Sequence, residues 1–77
     1  MATTLDQVSL GRTCRIDSLT GAASLVQRLL ELGMMEGEQV TVINKAPLGD
    51  PIEVECALTR LSLRKSEAAQ IQVNLPD

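Results

Sequence analysis

The chain has 77 residues, with ten acidic against seven basic side chains, a net charge of −3, and no Phe, Tyr, Trp or His. That length predicts one domain spanning residues 1–77, which buries roughly 60% of its unfolded surface around a core of Leu, Ile, Val, Ala and Met. Without aromatic rings it is not expected to stack bases, cage quaternary cations or grip polyproline, and without a long basic run it is not expected to bind nucleic acid.

In chain order, residues 1–6 offer neither a basic region nor an apolar run, so no secretory signal is expected. Residues 5–11 read as a short turn or helical turn in which Leu5, Val8 and Leu10 pin the N-terminus to the body. Residues 13–17 alternate as a first strand, with Cys14 and Ile16 inward and Arg15 and Asp17 outward. A linker follows at 18–21, where Thr20 is the expected N-cap of a helix ending near Leu32. Ala22, Leu25, Val26, Leu29 and Leu32 fall at the three-and-four spacing of one helix face. Gln27, Arg28 and Glu31 lie off that stripe and interrupt the run of about 20 apolar residues that a membrane span requires. Gly33 stops the helix and Gly37 turns the chain again.

The β-branched run Val40, Thr41, Val42 and Ile43 marks a second strand over about 39–45. It leads into Ala46-Pro47-Leu48-Gly49-Asp50-Pro51, where two prolines fix two φ angles and Gly49 permits the positive φ of a tight reversal. Ile52, Val54 and Cys56 then alternate with Glu53 and Glu55 in a third strand. Residues 57–59 turn the chain into a fourth strand around 60–64, with Leu61 and Leu63 inward. Residues 65–69 form a short turn of helix, and Ile71, Val73 and Leu75 define a closing strand. Pro76 and Asp77 are expected to fray. The expected class is mainly β: a small, partly open five-stranded barrel with one inserted α-helix and a short helical turn before the last strand, closure hiding the strand edges. Its core should contain Ile16, Leu29, Val40, Val42, Val54, Leu61, Leu63, Ile71 and Val73.

Candidate chemistry is sparse. The missing histidine removes the commonest general base and the commonest transition-metal ligand together. Glu53 and Glu55 point the same way from one strand, roughly 6–7 Å apart, and could share a cation, but outward strand carboxylates are ordinarily just solvated. Cys14 and Cys56 sit in no Cys-x-x-Cys pair and beside no base, so inert buried thiols in a reducing cytoplasm are expected, with a single disulfide as the alternative. The glycines are too widely spaced for a phosphate loop. Arg60, Arg64 and Lys65 make a short basic group that reads as a solvated face. No catalytic, cofactor or metal residue is therefore expected.

What remains is the loop around Leu48. In one reading it is a rigid hairpin connection, with Leu48 folded inward to cap the barrel. In the other it presents Leu48 to a partner, beside Met34 and Met35 if the corner folds back. The expected partner-binding surface is then Met34, Met35, Pro47, Leu48, Gly49, Asp50 and Pro51, preorganised by its prolines.

Three motifs agree in order and spacing with one known family: Arg28-Leu29-Leu30-Glu31-Leu32-Gly33-Met34; Glu36-Gly37 leading into a strand and the Ala46-Pro47-Leu48-Gly49-Asp50-Pro51 loop; and Leu63-Arg64-Lys65-Ser66-Glu67-Ala68 with Ile71 and Val73. Together they resemble FeoA, the small cytoplasmic partner of the bacterial ferrous-iron transport system, over nearly the whole chain. The loop is the specific part of the match. The resemblance implies an SH3-like barrel with a helical insertion, no enzymatic activity of its own, and action through the membrane permease FeoB, which carries a GTPase domain. Arg60 or Arg64 could reach a phosphate there in trans, although an arginine without a positioning motif is ordinarily a surface residue. The chain departs from many relatives in two turns, with Glu36 in place of proline and Leu58 in place of glycine. The alternative is the SH3-like domain that ends metal-dependent repressors of the diphtheria-toxin-repressor type, for whose DNA-binding region and metal site this chain has neither the length nor the histidines. A metallochaperone handing over Fe²⁺ would need ligands that the sequence hardly supplies.

Overall fold

The computed structural model of the chain describes residues 1–76, so the expected fraying of Asp77 lies outside the described residues. Six antiparallel strands make one open sheet in the order β1-β6-β2-β3-β4-β5. They are β1 (Ala2–Thr4), β2 (Thr13–Leu19), β3 (Gln39–Lys45), β4 (Ile52–Cys56), β5 (Thr59–Leu63) and β6 (Ile71–Asn74), with helix α1 (Ala23–Glu31) between β2 and β3 and the single turn α2 (Lys65–Ala68) before β6. Five strands are expected from the sequence, and β1 is the addition. It has no alternation of its own and forms because β6 offers an edge, with Thr3 opposite Val73. The N-terminal amine then donates to Asn74 Oδ1 at 2.9 Å and to the Leu75 carbonyl at 2.8 Å.

Breaks in register between Ile16 and Ser18 of β2 and between Val42 and Asn44 of β3 bend the sheet around one core. All the expected core residues are buried except Leu61, which is half-buried on the outermost strand. Leu5, Val8, Ile52 and Met34 join them. Leu10 does not. After the 3₁₀ turn Leu5–Gln7 the chain swings outward, returning where the Gly11 N–H meets the Val42 carbonyl at 2.7 Å, and this leaves Leu10 60% exposed.

Thr20 is not the N-cap of α1. Its hydroxyl donates to the Gln70 carbonyl at 2.9 Å and lies 3.0 Å from Gln70 Oε1, tying β2 to the start of β6, while Ala22 caps the helix without a side-chain bond. Along α1 the buried stripe is narrower than the spacing suggests: Leu29 is fully buried, Leu25 packs against the core, and Ala22 and Leu32 face solvent.

The end of α1 explains Met34. With Gly33 at φ +93°, its N–H bonds the Leu30 carbonyl at 3.0 Å and the Met34 N–H bonds the Leu29 carbonyl at 3.0 Å. This is the Schellman arrangement, in which the residue after the glycine packs back onto the last inward turn of the helix. Met34 and Leu29 are accordingly both 0% exposed.

Candidate interaction surface

The loop at 46–51 is held from within and from outside. The Ala46 N–H donates to the Pro51 carbonyl at 3.1 Å, and the Gly49 N–H donates to Ala46 at 2.7 Å with Gly49 at φ +80°. The Asp50–Pro51 peptide is cis. Asp50 Oδ1 accepts the Lys65 N–H at 3.0 Å, so this carboxylate anchors the loop to the first turn of α2. At that same turn Glu67 accepts the Arg64 N–H at 2.9 Å with one oxygen and pairs with Arg28 of α1 through the other. The two carboxylates thus fasten the loop, the end of β5 and the helix to one point. At the loop's tip Leu48 is 92% exposed and does not cap the barrel.

Two expectations about this surface need correction. Met34 is core, for the reason given above, and cannot contribute to an exposed patch. Met35 is 49% exposed, but it precedes β3, where Val40 pairs with Cys56, whereas Leu48 follows the other end, where Lys45 pairs with Ile52. The length of β3, about 20 Å at strand spacing, separates them. Leu10 is a further exposed apolar residue, on a turn bonded to Val42 at the middle of β3 and so closer in register to the Lys45 end than Met35 is. Its isolation between Ser9 and Gly11, off the pattern of either neighbouring element, is the signal that could have marked it as exposed.

Elsewhere the reactive groups are quiet. Cys14 and Cys56 are both buried free thiols. The register sets them on either side of Val40 in one row across β2, β3 and β4. Two strand spacings, roughly 9–10 Å, are too far for a disulfide. Burial pushes the Cys14 thiol up to about 11 against a smaller opposing pull from Arg12, and burial followed by the Glu38 charge raises Cys56 as well. Glu53 and Glu55 face outward, and among the described residues no three His, Cys, Asp or Glu side chains converge as a metal cage. No helix of the described residues is long and apolar enough to cross a membrane.

The model of the FeoA domain matches residues 3–75. The chain belongs to the FeoA family. The Fe(2+) transport protein A/Fe(2+) transporter FeoB fusion protein of Porphyromonas gingivalis is 34% identical over 71 residues; the match covers 92% of this chain but only 8% of that much longer protein. The solution structure of FeoA from Chlorobium tepidum shares 33% identity and a TM-score of 0.91, covering 97% of this chain and 71% of the other. Zinc-complexed FeoA of Stenotrophomonas maltophilia, described as a procaryotic SH3 domain protein, gives 33% identity and a TM-score of 0.83 over 94% and 89% of the two chains. The sheet of this FeoA-family domain is thus SH3-like. A manganese-dependent transcriptional repressor shares that fold at 16% identity, a likeness of fold alone.

Proposed function

We propose that this FeoA-family domain is a cytoplasmic accessory of bacterial ferrous iron uptake that binds a FeoB-type permease and supports or regulates Fe(II) transport without a catalytic step of its own. The observation that carries this reading is the Porphyromonas gingivalis relative, in which a domain 34% identical to this chain is joined to the transporter in one polypeptide. Covalent linkage holds two modules at about millimolar effective concentration, an arrangement that serves two surfaces which meet.

On this reading the contact is made by Leu48, framed by Pro47, Gly49, Asp50 and Pro51, with Leu10 taking the place of Met34 and Met35. Because the loop is already braced by two internal hydrogen bonds and the Asp50 anchor, little freedom is lost when a partner docks. The test is retention of the purified chain on immobilised permease, comparing the full-length protein in detergent with its soluble GTPase domain. Retention on the full-length permease is expected, and comparison with the soluble domain locates the contact. A chain that is retained by neither would overturn the proposal.

A further inference from the structure

β5 is the outermost strand on one side of the sheet. The two-residue turn Ala57-Leu58 sets Cys56 opposite Thr59, and pairing then continues through Val54 with Leu61 to Ile52 with Leu63 without a break. In an antiparallel hairpin of this kind the hydrogen-bonded pairs are those three, so Arg60 and Ser62 turn their N–H and C=O groups away from β4. Native edges are usually blunted by a proline, a bulge, charged side chains, a covering segment or extreme shortness, and of these β5 has only the charge of Arg60. β1, at the opposite edge, has only three residues. β5 has five, with no proline and no bulge.

We infer that this edge accepts an extended segment of a partner protein in which acidic and apolar residues alternate, adding antiparallel to β5 through Arg60 and Ser62. Three of the seven basic residues, Arg60, Arg64 and Lys65, are exposed on the strand and its continuation in a chain of net charge −3. None of them is within ion-pair distance of an acid among the described residues, where Arg28 with Glu67 is the sole such contact, although Glu55 stands opposite Arg60 across the β4–β5 ladder. An acidic residue opposite Arg60 lies on the outer face beside that guanidinium. The next residue along the segment falls on the inner face beside Leu61, whose half-exposed side chain it covers. Leu58 supplies an apolar contact at one end of the strand. It is 97% exposed and sits at φ +66°, following Ala57 at φ +52°, so it adds backbone strain without contributing to the core. A second copy of this chain fits less well, because pairing β5 with β5 would bring two basic edges together. The inference concerns a different surface from the Leu48 loop and does not rest on the permease being the partner.

The probes are two capped hexapeptides, one alternating valine with glutamate and one alternating valine with lysine, titrated into the isotopically labelled full chain. The glutamate peptide should shift the amide resonances of β5 and slow hydrogen exchange at Arg60 and Ser62, and the lysine peptide should not. Ser62→Pro removes an N–H that β4 does not use, so it should leave the β4–β5 ladder intact while weakening the glutamate peptide about tenfold, the effect of losing one or two hydrogen bonds. Arg60→Glu should exchange the preference between the peptides. If Ser62→Pro fails to fold, the glutamate peptide N-methylated at its edge-facing amides makes the same comparison against the unaltered protein. Equal binding of methylated and unmethylated peptide, shifts confined to other regions, or no shift at millimolar peptide would each overturn the inference. Concentration-dependent shifts at β5 without peptide would assign the edge to self-association instead and overturn the acidic partner.

Discussion

Met34→Ala separates the burial described above from the exposed role that the sequence suggests. The Met34 side chain is fully enclosed, whereas its neighbour Met35 is half in solvent. Truncating an enclosed methionine costs about 2–5 kcal/mol through lost contacts and the cavity left behind. Truncating an exposed one should cost less than about 0.5 kcal/mol. A chain of this length has roughly 4–12 kcal/mol of total stability, so the first loss is a large share of it. At about 4–8 °C per kcal/mol, the Met34 variant should melt at least about 8 °C lower, and Met35→Ala within a few degrees of the parent. Alanine keeps the N–H that bonds Leu29, so the loss reports the side chain alone. Far-ultraviolet circular dichroism through urea and heat is the assay, since a chain without aromatic residues has no intrinsic fluorescence to follow. Equal stability of the two variants would refute the packing of the helix end onto the core.

Glu67→Ala removes both the acceptor for the Arg64 N–H and the partner of Arg28. Loss of the N-terminal helix cap predicts about 1–2 kcal/mol from urea midpoints, and a double-mutant cycle with Arg28→Ala should assign less than about 1 kcal/mol to the exposed ion pair. Because the Cys14 thiol is raised from 9.0 to about 11 in the folded chain, the unfolded state loses its proton first. Stability from this group is therefore intact below pH 9 and falls between about pH 9 and 11, a slope that Cys14→Ala should flatten in urea melts across that range. Leu58→Gly relieves a positive φ at the β4–β5 turn and should raise stability by about 0.5–1 kcal/mol; a lower melting temperature would contradict that turn geometry.

The parts legible in the sequence were those where a local pattern and the fold agree. Ile52, Val54 and Cys56 alternate with two glutamates, and the structure buries the first set. Gly33 ends a helix where the apolar spacing stops. β1 is illegible because Ala2–Thr4 has no signal until β6 is beside it, and Thr20 does not cap the helix because Gln70, fifty residues on, takes its hydroxyl. Met34 lay one residue past a glycine, and only the capping geometry reveals that such a residue returns to the core. The exposure of Leu48 was not legible either, because a proline-bracketed loop fits a leucine that caps the barrel as well as one that points to solvent, and only the fold places it 92% exposed. Whether Met35 or Leu10 lies nearer to it requires the register of β3 against β2 and β4, which no run of residues within β3 states.

The central claim is that the loop at 46–51 docks on a FeoB-type permease, and Leu48→Glu tests it most directly. Leu48 is almost wholly in solvent and holds no other segment in place, so the variant should keep its circular dichroism spectrum and melt within a few degrees of the parent. Binding of labelled wild-type and variant chains to the purified permease in detergent is the measurement. A folded Leu48→Glu chain is expected to lose permease binding, because a charge is then forced into an apolar contact. A folded Leu48→Glu chain that binds the permease with wild-type affinity would contradict it.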